Sequence, residues 1–167
     1  MLRLLLGAVA LTVFATPVLA QNLALVGPDG QAVTLTAAEL AALPRQTIAF
    51  AGHGESHVYE GPLLIDVLAK AGAPTGKALR GPEMADVVLV EANDGYAVAL
   101  GLAEADPGTR ANRIILADRA DGAPPAAKDG PFKLVVEGDL RPARSARMVA
   151  RITVMRLGGA AAASHTH

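Results

Sequence analysis

The chain has 167 residues, 51% hydrophobic but only 3% aromatic, with 15 basic and 16 acidic side chains. That length suits one domain with a real core. The near-neutral balance lacks the basic excess of a nucleic-acid binder, and the scarce aromatics leave no platform for stacking bases. With no cysteine, lipoprotein acylation, a disulfide framework and any thiolate ligand are excluded.

Met1 to Ala20 reads as a secretory signal. Arg3 supplies the positive start, Leu4 to Ala15 is almost wholly apolar, and Val18 and Ala20 are the small residues before a cleavage site. The apolar run is short for a membrane-spanning helix. Cleavage after Ala20 predicts an exported, periplasmic domain over 21–157 with no stable membrane insertion. Residues 158–167 form an Ala/Gly-rich tail expected to be disordered.

Leu23 to Val26 and Ala32 to Leu35 read as short strands around the Gly27-Pro28-Asp29-Gly30 turn. Thr36 to Leu43 reads as a short helix, with Thr36 and Glu39 at capping-box spacing and Pro44 ending it. Thr47 to Ala51 predicts a buried strand, broken by Gly52-His53-Gly54, and His57-Val58-Tyr59 resumes extended chain. Gly61-Pro62 is then expected to open a helix with Pro62 at its first position. Its apolar face is Leu63, Leu64, Val67, Leu68 and Ala71, Asp66 and Lys70 face away as a pair, and Gly72 ends it.

Val87 to Ala92 predicts a central strand covered on both faces, and Asn93-Asp94-Gly95 a hairpin turn returning as Tyr96 to Leu100. Leu102 to Ala105 fits a helical turn and Arg113 to Ala117 another buried strand. After the Asp121 to Gly130 loop, Phe132 to Glu137 alternates, with Phe132, Leu134 and Val136 inward. Leu140 to Ala146 is irregular around Pro142, and Val149 to Leu157 alternates again. Strands dominate, helices are few and short, and the regular strand-helix alternation of a doubly wound sheet is missing, so the class is α+β. No internal repeat and no second domain is visible.

Several of these stretches, in order, carry a resemblance. They are Thr47 to His53; Tyr59-Glu60-Gly61-Pro62-Leu63-Leu64 with Asp66-Val67-Leu68; Ala92 to Tyr96; Asp121-Gly122; Gly130 to Val136; and Arg144 to Val154. Together they resemble the sulfite oxidase-type molybdopterin-binding domain, and in particular its small exported, cysteine-less pterin-binding relatives. The resemblance implies a single mixed-sheet domain. It also implies that Phe50 stands where catalytic members carry the cysteine that ligates molybdenum. Phenylalanine ligates no metal, so Phe50 is either a core residue or an aromatic wall against a flat heterocycle.

Beyond Asp139 the chain has no acid but five arginines, Arg141, Arg144, Arg147, Arg151 and Arg156. The guanidinium fork suits carboxylates, phosphates and the edge of a pterin. One reading builds an anion or pterin site from Arg141, Arg144, Ser145 and Arg147, and the resemblance places pterin contacts in this segment. The other pairs the arginines with distant acids such as Glu83, Asp86 or Glu104. Arg151 and Arg156 read as surface. His53 is either a polar pocket contact or a loop histidine, and with His57 it makes a poor zinc site. His165 and His167 lie in the tail. Asp94 and Tyr96 read as turn and packing residues or as pterin contacts, and Glu60 as another acceptor. No Gly-x-Ser-x-Gly elbow, Ser/His/Asp set or phosphate-binding Gly-rich loop is present.

These readings imply a non-catalytic periplasmic protein that binds a tetrahydropterin-type pterin without molybdenum. By the resemblance alone, it presents that pterin to the periplasmic domain of a membrane-bound sensor enzyme handling cyclic diguanylate. A molybdopterin-dependent, sulfite oxidase-like oxidoreductase subunit is the enzymatic alternative, and a ligand-free interaction module on the same scaffold is a third.

Overall fold

The computed structural model describes residues 22–157 apart from residue 53. The expected signal sequence, His53 and the tail from residue 158 lie outside the described residues. Among the described residues ten strands are shared among three sheets. Strands β1 (Asn22–Val26), β2 (Ala32–Thr36), β5 (Val87–Ala92), β6 (Ala97–Gly101) and β10 (Val149–Met155) form a sheet of order β2-β1-β10-β5-β6. In it β1 and β10 run parallel and the other neighbours antiparallel. Strands β3 (Arg45–Gly52), β4 (Glu55–Pro62) and β8 (Arg119–Ala120) form a second, antiparallel sheet. β7 (Ile114–Ala117) and β9 (Lys133–Val136) form a third, joined to the end of β4 by the Leu63–Ile115 bridge.

Helix α1 (Ala37–Ala41) begins at the expected capping box: Glu39 N–H donates to Thr36 Oγ1 at 3.2 Å, and Thr36 N–H donates to the Glu39 carboxylate at 2.8 Å. Helix α2 (Leu64–Ala69) starts later than the sequence predicts. Gly61 and Pro62 are the last residues of β4, paired with Gln46 and Arg45. Pro62 therefore closes an edge of pairing instead of opening the helix, and its missing N–H is tolerated at a strand end. Ile65 is buried as well as Leu64, Val67 and Leu68, so α2 is wrapped more fully than one amphipathic stripe implies. No salt bridge forms between Asp66 and Lys70 within 4 Å, so that expected pair is absent.

Period-two alternation divides the apolar residues between two cores. The larger joins the five-stranded sheet to α2 and to Ile114, Leu116, Phe132, Leu134 and Val136. The smaller consists of Ile48, Phe50, Tyr59, Ile115, Ala117 and Val135. The β7–β9 pair therefore lies between cores, and Val135 is as buried as its alternate neighbours. The β3 strand is buried on one face only: Ile48 and Phe50 are inside while Thr47, Ala49 and Ala51 are exposed. β5 behaves likewise, with Val88, Val90 and Ala92 buried and the other face half-buried.

The Arg113 guanidinium donates to both Glu137 carboxylate oxygens, at 3.0 and 2.8 Å, at one end of the β7–β9 pair. These bonds hold the Glu137 carboxyl below its ordinary value. A carboxyl lowered on folding adds stability that is full above its unfolded value and is lost as pH falls through the folded one. Glu137→Gln is expected to lower stability by about 1 kcal/mol near neutrality, since the pair is partly exposed. That deficit should vanish in melting curves taken well below pH ~4.

Candidate functional site

The β3–β4 hairpin sets one wall of an open cavity of about 540 Å³. Phe50 pairs with His57, and Ile48 with Tyr59, so alternation sends Phe50, Glu55, His57 and Tyr59 to the same side. The floor comes from β9, where Lys133 lies opposite Ala117 and shares the face of Val135. Its Nζ donates to Tyr59 Oη at 2.8 Å and lies 4.5 Å from the ring centre. Lys128 and Asp129, Asp94 and Tyr96, and the segment around Arg141 to Arg147 complete the rim.

That rim is tied down by backbone. Leu134 N–H donates to Ala146 O at 2.8 Å, Val149 N–H to Phe132 O at 2.9 Å, and Met148 N–H to Asp129 O at 3.0 Å. Ser145 is buried, and its Oγ accepts from Val136 N–H at 3.4 Å. Tyr96 Oη donates to Ala143 O at 2.6 Å, clamping the β5–β6 hairpin to the same segment. Asp94 accepts from Tyr96 N–H at 3.0 Å and Gly95 takes a φ of 85°, so the carboxylate also shapes the turn.

Six of the eight residues picked out by sequence meet at this cavity: Phe50, Asp94, Tyr96, Arg141, Ser145 and Arg147. Phe50 is both wall and core, only 7% exposed. His53 is outside the described residues. Arg144 stands apart. Its guanidinium donates to both Asp139 oxygens at 3.0 and 2.7 Å and to Glu104 at 3.1 Å, and it does not line the cavity. The Asp139 bonds raise its value despite desolvation, fixing it as a cation. The arginines thus divide between the two readings: Arg144 pairs with acids, as does Arg156, 3.4 Å from Asp29 and 3.8 Å from Asp86. Glu60 also belongs elsewhere, 2.6 Å from Arg45, which in turn pairs with Asp118.

Arg144→Ala is accordingly expected to lower stability by about 1 kcal/mol while changing ligand affinity less than about twofold. Thermal melting and a binding titration on the same preparation check both halves.

Sequence reasoning missed Glu55, His57, Tyr59, Lys128, Asp129 and Lys133 as cavity residues. A lysine inside the apolar run Phe132 to Val136 was the available signal, because a buried lysine needs a partner. Among the described residues no carboxylate lies within 4 Å of Arg141 or Lys128. Arg147 reaches only Asp129 at 3.8 Å, and Lys133 the same carboxylate at 3.9 Å. Two cations are thus unpaired and two share one acid at long range. With Phe50, His57, Tyr59 and Tyr96 as ring-bearing walls, the cavity can take a flat polar ring carrying negative charge or carbonyl edges.

No known family profile and no curated protein matches the chain. Its structure is similar to the crystal structure of the sulfane dehydrogenase SoxCD from Paracoccus pantotrophus. The TM-score is 0.61 at 19% identity, over 81% of this chain and 38% of that one. The chain therefore spans well under half of its structural neighbour. The likeness establishes the fold: a strand-rich α+β domain of the sulfite oxidase type, with few short helices.

The resemblance carried by the sequence motifs implies a molybdenum cofactor, and the residues fit its two halves unequally. The basic rim and ring-bearing walls suit a pterin. The metal half does not fit: the sequence has no thiolate donor, and among the described residues no three His, Asp or Glu side chains gather as a metal site. Among the described residues no helix is long and apolar enough to cross a membrane.

Proposed function

We propose that this chain is a non-catalytic pterin-binding protein that holds a tetrahydropterin-type ligand without molybdenum. The observation that carries this reading is the cavity itself. Its basic side chains Lys128, Arg141 and Arg147 are left with donors to spare, facing the Phe50, Tyr59 and Tyr96 rings across a space sized for a small heterocycle. Phe50, where the resemblance expects a thiolate, supports a role in which the ligand is held and no metal is gripped. The signal-like start of the sequence supports export to the periplasm. There the protein would present its pterin to the outer domain of a membrane-bound enzyme of cyclic-diguanylate signalling.

The fold shared with a sulfane dehydrogenase supports a second reading, an oxidoreductase subunit that carries molybdopterin. Protein purified from its native host separates the readings. A released ligand that shows pterin fluorescence after iodine oxidation, without molybdenum by elemental analysis, supports the binding protein. Stoichiometric molybdenum supports the oxidoreductase. Neither signal, with no shift in melting temperature on adding pterin, supports a ligand-free interaction module.

A further inference from the structure

His57 stands on the cavity wall with one ring nitrogen already committed. Its Nδ1 lies 2.7 Å from Asp121 Oδ2. Asp121 is itself fixed: its Oδ1 accepts from Val58 N–H at 2.8 Å, its N–H donates to Val58 O at 2.8 Å, and it holds a φ of 51°. The imidazole is thus oriented by a carboxylate that cannot easily turn away. Its other nitrogen, Nε2, makes no hydrogen bond among the described residues, Glu55 lying 3.6 Å from it. The ring meets the Tyr59 ring edge-on, with centres 6.0 Å apart.

Resting on the pterin reading above, we propose that His57 is a specificity-determining contact whose Nε2–H, presented by Asp121, binds the anionic group of a negatively charged heterocycle and favours it in mildly acid medium. Among the described cavity residues His57 is the one imidazole. Around His57 the charged groups are Asp121 beyond β8 and Glu55 on its own strand. Across the cavity are Lys133 on β9, Lys128 and Asp129 before it, Asp94 in the β5–β6 turn, and Arg141 and Arg147 before β10. The lysine and arginine side chains supply the standing attraction for an anion. To that an imidazole adds a positive charge as pH falls through its pKa. Asp121, and to a smaller degree Glu55, raise its pKa above the ordinary 6.5, which brings the change toward neutrality. Below the raised value His57 is a charged donor, and above it a neutral ring.

The test is a fluorescence titration with 6-carboxypterin at about pH 8 and about pH 6. Wild-type, His57→Gln and Asp121→Asn chains are compared. The ligand's own ionisation is common to all three, so differences between them belong to the protein. Wild-type affinity is expected to rise roughly fivefold or more on acidification, relative to His57→Gln, through the added charge-assisted bond. Asp121→Asn keeps an acceptor for Val58 N–H and tolerates positive φ, but removes the charge. Its rise should move to lower pH. A wild-type response matched by His57→Gln overturns the inference and leaves pterin binding standing. No saturable binding of 6-carboxypterin by any chain at either pH, with tetrahydropterin still bound in a parallel calorimetric titration, overturns the inference alone. No binding of either ligand overturns both.

Discussion

Replacing Arg141 and Arg147 together by alanine is expected to weaken pterin binding by at least about 100-fold. Each guanidinium at the cavity rim can give a charge-assisted hydrogen bond, worth about 1.5–3 kcal/mol. Neither is already used: Arg141 has no carboxylate within 4 Å among the described residues, and Arg147 is half-exposed with Asp129 at 3.8 Å. A ligand acceptor therefore meets donors that need break no strong protein bond first. For the same reason the double variant should melt within about 0.5 kcal/mol of wild type, as for surface changes away from any network. Calorimetric titration and thermal melting separate the two effects. Equal affinity in variant and wild type would remove the arginines from the site.

Gly61→Ala is expected to destabilise the fold by about 3 kcal/mol. Gly61 ends β4 where that strand runs against β7. A Cβ built there would lie 2.1 Å from Leu116 O and 2.7 Å from Ala117 Cα. Both are backbone atoms of a fully buried strand, so no side chain can swing aside. The two strands must separate, and with them the small core that carries Phe50 and Tyr59. Urea denaturation measures the loss, and a change below about 1 kcal/mol would contradict the close approach.

How much of this was legible depended on whether the signal was local. The Thr36–Glu39 cap and the Asn93-Asp94-Gly95 turn depend on neighbours in sequence, and both form where the residues indicate. Pro62 misled because its ring suits a first helical turn and a strand end equally, and only pairing with Arg45 decides. Arg144 and Arg141 are indistinguishable as sequence. What separates them is Glu104, 40 residues away, which joins Asp139 around the first and leaves the second alone. The gap is widest for His57, Tyr59 and Lys133. Their convergence follows from strand register, which sets side-chain facing and is not written in any one strand. The sulfite oxidase-type fold was visible in the order of short motifs, each weak singly, and the cavity contributed by four separate segments was visible only in part.

The proposal that this cavity holds a pterin is tested most directly by calorimetric titration of the purified protein. Tetrahydropterin is added first, then its oxidised form. The account predicts saturable, one-site binding at micromolar ligand, abolished over that range when Arg141 and Arg147 are both alanine. Heats that never saturate for either form, from a chain shown to be folded by its cooperative melting, would contradict it.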